Sequence, residues 1–131
     1  DISDTSVSST KANNRRIWNL DIRRASVSDL PFADGSFQLI TAVETYFFWP
    51  DLENDIRSAV RCLSPGGTIA IVSEMYPHPG LSEHARQQIS DYGMNVVENE
   101  RMVSMMESAG LTVTCETVPE NSWAAFIGVK R

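Results

Sequence analysis

The stretch that decides the fold runs from Phe37 to Ser73, FQLITAVETYFFWPDLENDIRSAVRCLSPGGTIAIVS. Its first part, Phe37 to Val43, is almost continuously apolar and ends at the charged Glu44, which is the pattern of a strand covered on both faces. From Asp51 to Leu63 the apolar residues Leu52, Ile56, Ala59, Val60 and Leu63 fall on one stripe of a 3.6-residue period, with Pro50 and Asp51 at its start. That spacing predicts a helix. Ser64-Pro65-Gly66-Gly67 stops it, and Thr68 to Ser73 predicts a second buried strand. Strand, helix and strand joined by short connections make a βαβ unit, whose two strands lie parallel and adjacent.

Working outward, Glu74 to Gly93 holds Pro77, Pro79, both histidines (His78 and His84) and a polar run from Ser82 to Tyr92 that suits an irregular helix. It reads as an insertion over a strand end. A helix is predicted from about Asn99 to Ala109 by Met102, Val103, Met106 and Ala109, with Gly110 as its C-terminal cap and Leu111 packing back. Leu111 to Val118 alternates, and Trp123 to Lys130 is apolar after the turn Pro119-Glu120-Asn121-Ser122, so these two predict an antiparallel hairpin. On the other side, Ser3 to Asn14 is rich in Ser, Thr and Asn, whose side chains compete for backbone hydrogen bonds, so its helix propensity is weak.

Composition limits the function. With 131 residues the chain is one domain or slightly less. Apolar residues make up 42% and charged residues 21%, enough for a packed core and outside the range of intrinsic disorder. The net charge of −6 disfavours nonspecific nucleic-acid binding. Residues 1 to 24 carry five bases against three acids; Arg15, Arg16, Arg23 and Arg24 read as a solvated face, because no aromatic interleaving or glycine loop accompanies them. Cys62 and Cys115 read as reduced core thiols, with a single pairing left open; no Cys/His spacing suits zinc, so no metal is expected. No apolar run approaches the length needed to span a bilayer, and the polar start from Asp1 to Lys11 is unlike a signal peptide, so the expectation is a cytoplasmic protein without a membrane partner. The start at Asp1, with Met75 the first methionine, suggests a processed or truncated piece.

Three segments in order, Ser26-Val27-Ser28-Asp29-Leu30-Pro31-Phe32-Ala33-Asp34-Gly35-Ser36-Phe37 with Gln38-Leu39-Ile40, then Trp49-Pro50-Asp51-Leu52, then Arg61-Cys62-Leu63-Ser64-Pro65-Gly66-Gly67, resemble the class I S-adenosylmethionine-dependent methyltransferases of the type 11 kind. The resemblance covers nearly the whole chain but lacks that family's N-terminal glycine-rich motif. It implies an α/β, Rossmann-like methyltransferase fold, N-terminally truncated, in a mixed sheet with a C-terminal antiparallel hairpin, and a single partial domain over residues 1–131. In the family's strand order the absent strands are the central ones. Their loss would expose the edge of the Phe37 to Val43 strand and invite a homo-oligomer.

The implied cofactor is S-adenosylmethionine, and the implied reaction is methyl transfer to a small-molecule substrate. By resemblance Asp1 is the candidate for the ribose hydroxyls, although as a terminal residue it also reads as frayed. Ser26 and Val27 match the positions that read adenine; Ser26 stands where the family has an aspartate, and its neutral hydroxyl makes a weaker contact than a charge-assisted one. Glu44, with Thr45 and Tyr46, follows the Phe37 to Val43 strand and either faces the ligand crevice at the strand's carboxyl end or ends the strand in solvent. Phe47, Phe48 and Trp49 could attract a sulfonium at the crevice mouth, while core packing accounts for at least two of them. His78 and His84 read as exposed loop histidines or as a general base. Met102, Met105 and Met106 read as core. The sequence assigns no catalytic residue. A second function is a noncatalytic, self-associating fragment of a methyltransferase without cofactor binding.

Overall fold

The computed structural model describes all 131 residues. Four strands form one mixed sheet: β1 (Phe37–Val43), β2 (Leu63–Ser73), β3 (Leu111–Val118) and β4 (Trp123–Lys130), in the order β1-β2-β4-β3. β1 runs parallel to β2, whereas β4 is antiparallel to both β2 and β3. The helices are α1 (Asp4–Asn13), α2 (Leu52–Cys62), α3 (Glu83–Asp91) and α4 (Asn99–Ser108). No helix is long and apolar enough to cross a membrane.

α2 begins as its sequence dictates. The Asp51 side chain accepts from the Asn54 N–H at 3.3 Å, and the buried Asp55 carboxylate accepts from the Asp51 N–H at 3.0 Å, a reciprocal cap that satisfies two first-turn donors. Its other end is closed from the sheet: Lys130 Nζ at the end of β4 donates to the carbonyls of Val60 at 2.9 Å and Leu63 at 2.7 Å. The apolar stripe then lies where its period places it. Ile56, Ala59 and Val60 are buried with Leu63, Ile69 and Ile71 of β2, Phe126 of β4, Leu111 of β3 and Met102 and Met106 of α4. Gly128 suits this packing, since a Cβ there would stand 2.7 Å from Leu111 Cδ1 and 3.2 Å from Leu111 Cβ, and the Leu111 side chain would have to shift.

Three sequence expectations need correction. First, β1 is not covered on both faces: Leu39 is 60% and Val43 57% exposed, because α2 and α4 pack on one side of the sheet only. An apolar run reports strand conformation and cannot report how many layers cover it. Second, Ser64 to Gly67 does more than stop α2. The strand ladder already joins Phe37 to Leu63, and the register then jumps to Leu39 against Thr68, so the Pro-Gly-Gly turn is absorbed as an irregularity within β2, held by Ser64 Oγ donating to the Phe37 carbonyl at 3.2 Å. Third, α1 forms despite its polar composition. Ser3 caps it by accepting from the Ser6 N–H at 3.2 Å, Asp4 lies in its first turn and Lys11 in its last, and Val7 is its buried residue.

The remaining elements follow the sequence closely. α4 ends before Gly110, which takes φ +97, and the Leu111–Val118 and Trp123–Lys130 strands pair antiparallel. Met102, Met105 and Met106 are buried, and Cys62 and Cys115 are free thiols. Burial, with the Glu100 carboxylate adding to it, pushes the Cys115 thiol above its ordinary pKa.

Candidate functional site

The parallel pair β1 and β2 ends in two glutamates, Glu44 and Glu74, at the carboxyl ends of the strands. Beside them a crevice of about 340 Å3 is lined by Val43, Val72, Glu116 and Trp123. Glu44 and Glu74 line this crevice as well. The Glu44 backbone is left-handed at φ +53, an uncommon conformation for a residue with a side chain. The turn is held from both directions: the Glu44 N–H donates to the Val72 carbonyl at 3.0 Å, and the Glu44 carboxylate accepts from the Glu74 N–H. Burial pushes the Glu44 carboxyl above the usual range; the Glu74 N–H opposes that rise and the Glu74 carboxylate adds to it.

Beyond Glu44 the chain turns through a short 3-10 helix, Tyr46–Phe48. Tyr46 and Phe47 are buried and Trp49 is half-buried, which is the core packing expected for at least two of Phe47, Phe48 and Trp49; Phe48 is exposed and does not line the crevice. Phe47 meets Phe48 edge-on at 4.9 Å between centroids. Burial also raises the Tyr46 phenol above its ordinary pKa.

A second group of candidates comes together at the N-terminal side. The Ala25 N–H donates to the Asp1 carbonyl at 3.0 Å, and Arg24 Nε donates to the Ile2 carbonyl at 3.0 Å, so Asp1 lies beside the Ser26-Val27 pair. The Asp1 carboxylate accepts from the Ser3 N–H at 2.8 Å, which gives an otherwise exposed terminal side chain a fixed direction. Ser26 Oγ accepts from the Ser28 N–H at 3.2 Å and keeps its own proton to donate. The Val27 N–H donates to no protein group. Arg61 fixes the segment that follows, donating to the carbonyls of Leu30 at 3.0 Å and Phe32 at 2.8 Å and to Asp34 Oδ1 at 2.6 Å. The Asp1 backbone thus adjoins the segment that carries Ser26 and Val27, while Glu44 makes its contacts with Val72 and Glu74.

The sequence predicts His78 and His84 as a like pair in one loop, and the structure separates them. His84 is exposed on α3, whereas His78 is half-buried, stacked on Tyr76 at 4.6 Å between centroids and within 2.8 Å of Ser122 Oγ. Sequence reasoning misses Glu74, Glu116, Trp123 and Ser122. Glu74 carries a usable signal, since it follows β2 as Glu44 follows β1; Glu116 and Trp123 reach the crevice only through the β3–β4 pairing. No group of three or more His, Cys, Asp or Glu side chains is placed to hold a metal ion.

The family model for a methyltransferase domain matches residues 1–71. The chain belongs to the class I S-adenosylmethionine-dependent methyltransferase family. It is 34% identical over 74 residues to 27-O-demethylrifamycin SV methyltransferase of Amycolatopsis mediterranei, a match covering 56% of this chain and 27% of that one. To norajmaline N-methyltransferase of Rauvolfia serpentina it is 28% identical over 95 residues, covering 72% of this chain and 30% of the relative. The chain thus spans less than a third of the length of these two relatives. Among solved structures, the [4+2]-cyclase SpnF superposes with a TM-score of 0.84 at 14% identity, over 98% of this chain and 63% of that one, which shows the fold.

Proposed function

We propose that this chain contributes the cofactor's ribose and adenine contacts and the acceptor side of an S-adenosylmethionine-dependent enzyme that methylates a small molecule. The observation that carries the reading is the hydrogen bond from the Ala25 N–H to the Asp1 main-chain carbonyl, which brings the backbone of Asp1 next to the segment that carries the Ser26 hydroxyl and the unengaged N–H of Val27. Those groups suit the cofactor: Asp1 would accept from two ribose hydroxyls, Ser26 would meet the exocyclic amine of adenine through its remaining lone pair, and Val27 would donate to a ring nitrogen. When bound, S-adenosylmethionine supplies an activated methyl group on a sulfonium. The protein's task is then to position, to exclude water and to take up a proton where the acceptor loses one. Glu44, at the crevice with its carboxyl raised by burial, would orient the cofactor or acceptor there. The relatives whose names state a substrate class, rifamycin and norajmaline methyltransferases, support a small-molecule acceptor, as does the net charge of −6 against a nucleic acid.

Calorimetric titration of this chain with S-adenosylhomocysteine is the test. Micromolar-range binding, weakened about tenfold in Asp1→Asn, is the expected result; no heat and no thermal shift would overturn it for this chain. A second reading, a noncatalytic self-associating fragment, is favoured by one observation. β1 is an edge strand of the sheet, carries no charge from Phe37 to Val43, and leaves Leu39 and Val43 exposed, so nothing in it opposes pairing with a second copy. Sedimentation distinguishes the two: a dimer lost in Leu39→Lys, without cofactor binding, supports the second, and a monomer at high concentration removes it.

A further inference from the structure

Two surfaces of opposite character lie unpartnered on this molecule. The first is the face of the sheet that carries no helix. Val43, Val72, Ala125 and Glu116 pair across β1, β2, β4 and β3 in a single row, and that row lines the Glu44 crevice. Leu39, Trp123, Ile127 and Val129 are exposed and extend the apolar floor along the same face. Its rim is acidic: Glu44, Glu74 and Glu116 line the crevice, and none of the three forms an ion pair within the chain.

The second surface is the turn that follows α1. The Ile17 N–H donates to the Asn14 carbonyl at 2.9 Å, and Asn14 Nδ2 donates to the Thr10 carbonyl at 2.9 Å, so the turn is fastened to the end of the helix. It presents Arg15 and Arg16, both exposed and without a carboxylate partner, and then the exposed side chains of Ile17, Trp18 and Leu20. Trp18, at 94%, is the most exposed large apolar residue of the chain. Tryptophan and arginine are the residues that most often anchor contacts between proteins, and here nothing in their own chain covers them.

The two surfaces complement each other, one apolar with a basic edge and the other apolar with an acidic edge. The whole chain is polarised in the same sense: residues 1–24 hold five bases against three acids, and the remaining residues six against fourteen. Charges so divided steer two copies together with unlike regions in contact and disfavour the like-to-like encounters.

We propose that the bare sheet face docks the Arg15–Leu20 turn of a second copy of this chain, with Trp18 on the apolar floor and Arg15 and Arg16 against the glutamates of the crevice. This contact needs no cofactor. It also differs from pairing through the β1 edge, since it is made by side chains and much of its floor belongs to β4, an inner strand. One turn covers less surface than a permanent dimer buries, so the association is weak, concentration-dependent and sensitive to salt.

Sedimentation velocity over a range of concentrations is the test, with charge reversal on each side of the contact. The wild-type sedimentation coefficient should rise with concentration, and rise less in high salt. Trp18→Ser and Ile127→Lys, both at exposed positions and checked for fold by circular dichroism, should each weaken association at least about tenfold. Arg16→Glu alone and Glu116→Arg alone should weaken it too, because each sets like charges against one another. An equimolar mixture of those two variants should associate again, because the two reversed charges then face each other. A wild type that stays monomeric at every concentration overturns the proposal and leaves the face to a different partner. Association kept in Trp18→Ser overturns it in favour of the β1 edge. Single reversals without effect, or a mixture no more associated than either variant alone, overturn the pairing of this turn with this face.

Discussion

Phe126 and Ile127 are neighbours in β4 and live in different surroundings. Phe126 is 1% exposed among the residues under α2 and α4, whereas Ile127 is 40% exposed on the other face of the sheet. The register extends the contrast across the molecule: Ala42, Ile71, Phe126 and Cys115 align on the helix side, and Thr41, Ala70, Ile127 and Thr114 on the bare side. Leu39, Val43, Val129 and Trp123 add exposed apolar groups to that bare face. A monomer rarely leaves so much contiguous apolar surface uncovered. One face of this sheet thus supplies the core, and the other adds little to the stability of the chain.

Substituting the two neighbours in turn gives the largest expected effect. Phe126→Ala should cost about 3–5 kcal/mol in urea unfolding, since it removes a fully buried ring and leaves a cavity, and Ile127→Ala should stay within about 1 kcal/mol. Equal losses would mean that both faces are packed in solution. Next in size is Lys130→Met, which keeps the stem and removes the ammonium that closes α2 from the sheet; a loss of about 1–3 kcal/mol is expected, read in the same unfolding experiment. The smallest effect concerns Glu44 at the crevice. Because burial raises its folded pKa, its contribution is most favourable below the unfolded value and is lost as pH rises through the folded one. Glu44→Gln should therefore raise Tm at pH 7 and leave it unchanged near pH 4. A lower Tm at pH 7 would show that the bond from the Glu74 N–H to the carboxylate outweighs its burial.

The βαβ unit was legible because its signals are local: an apolar run, a 3.6-residue stripe opened by Asp51, and the Pro-Gly-Gly break after it. Of the candidate residues, Glu44 was placed by such a signal, since it follows the apolar run of β1, whereas Asp1, Ser26 and Val27 were candidates through the family resemblance alone. Lys130 closing α2 was not legible, because seventy positions separate it from Val60 and only the β2–β4 pairing brings them within 2.9 Å.

Backbone periodicity, which depends on neighbours a few residues away, was thus enough for the sequence to determine the βαβ elements, the parallel pair and the terminal hairpin, while three ordered motifs carried the resemblance to the family. Tertiary structure alone decided which side of β1 meets helices, that His78 is pinned by Gly80 and Ser122, and that Glu44, Glu74, Glu116 and Trp123 share one crevice. Those outcomes depend on contacts between residues far apart in the chain, and no local pattern encodes which distant surface will arrive to cover a side chain or leave it in water.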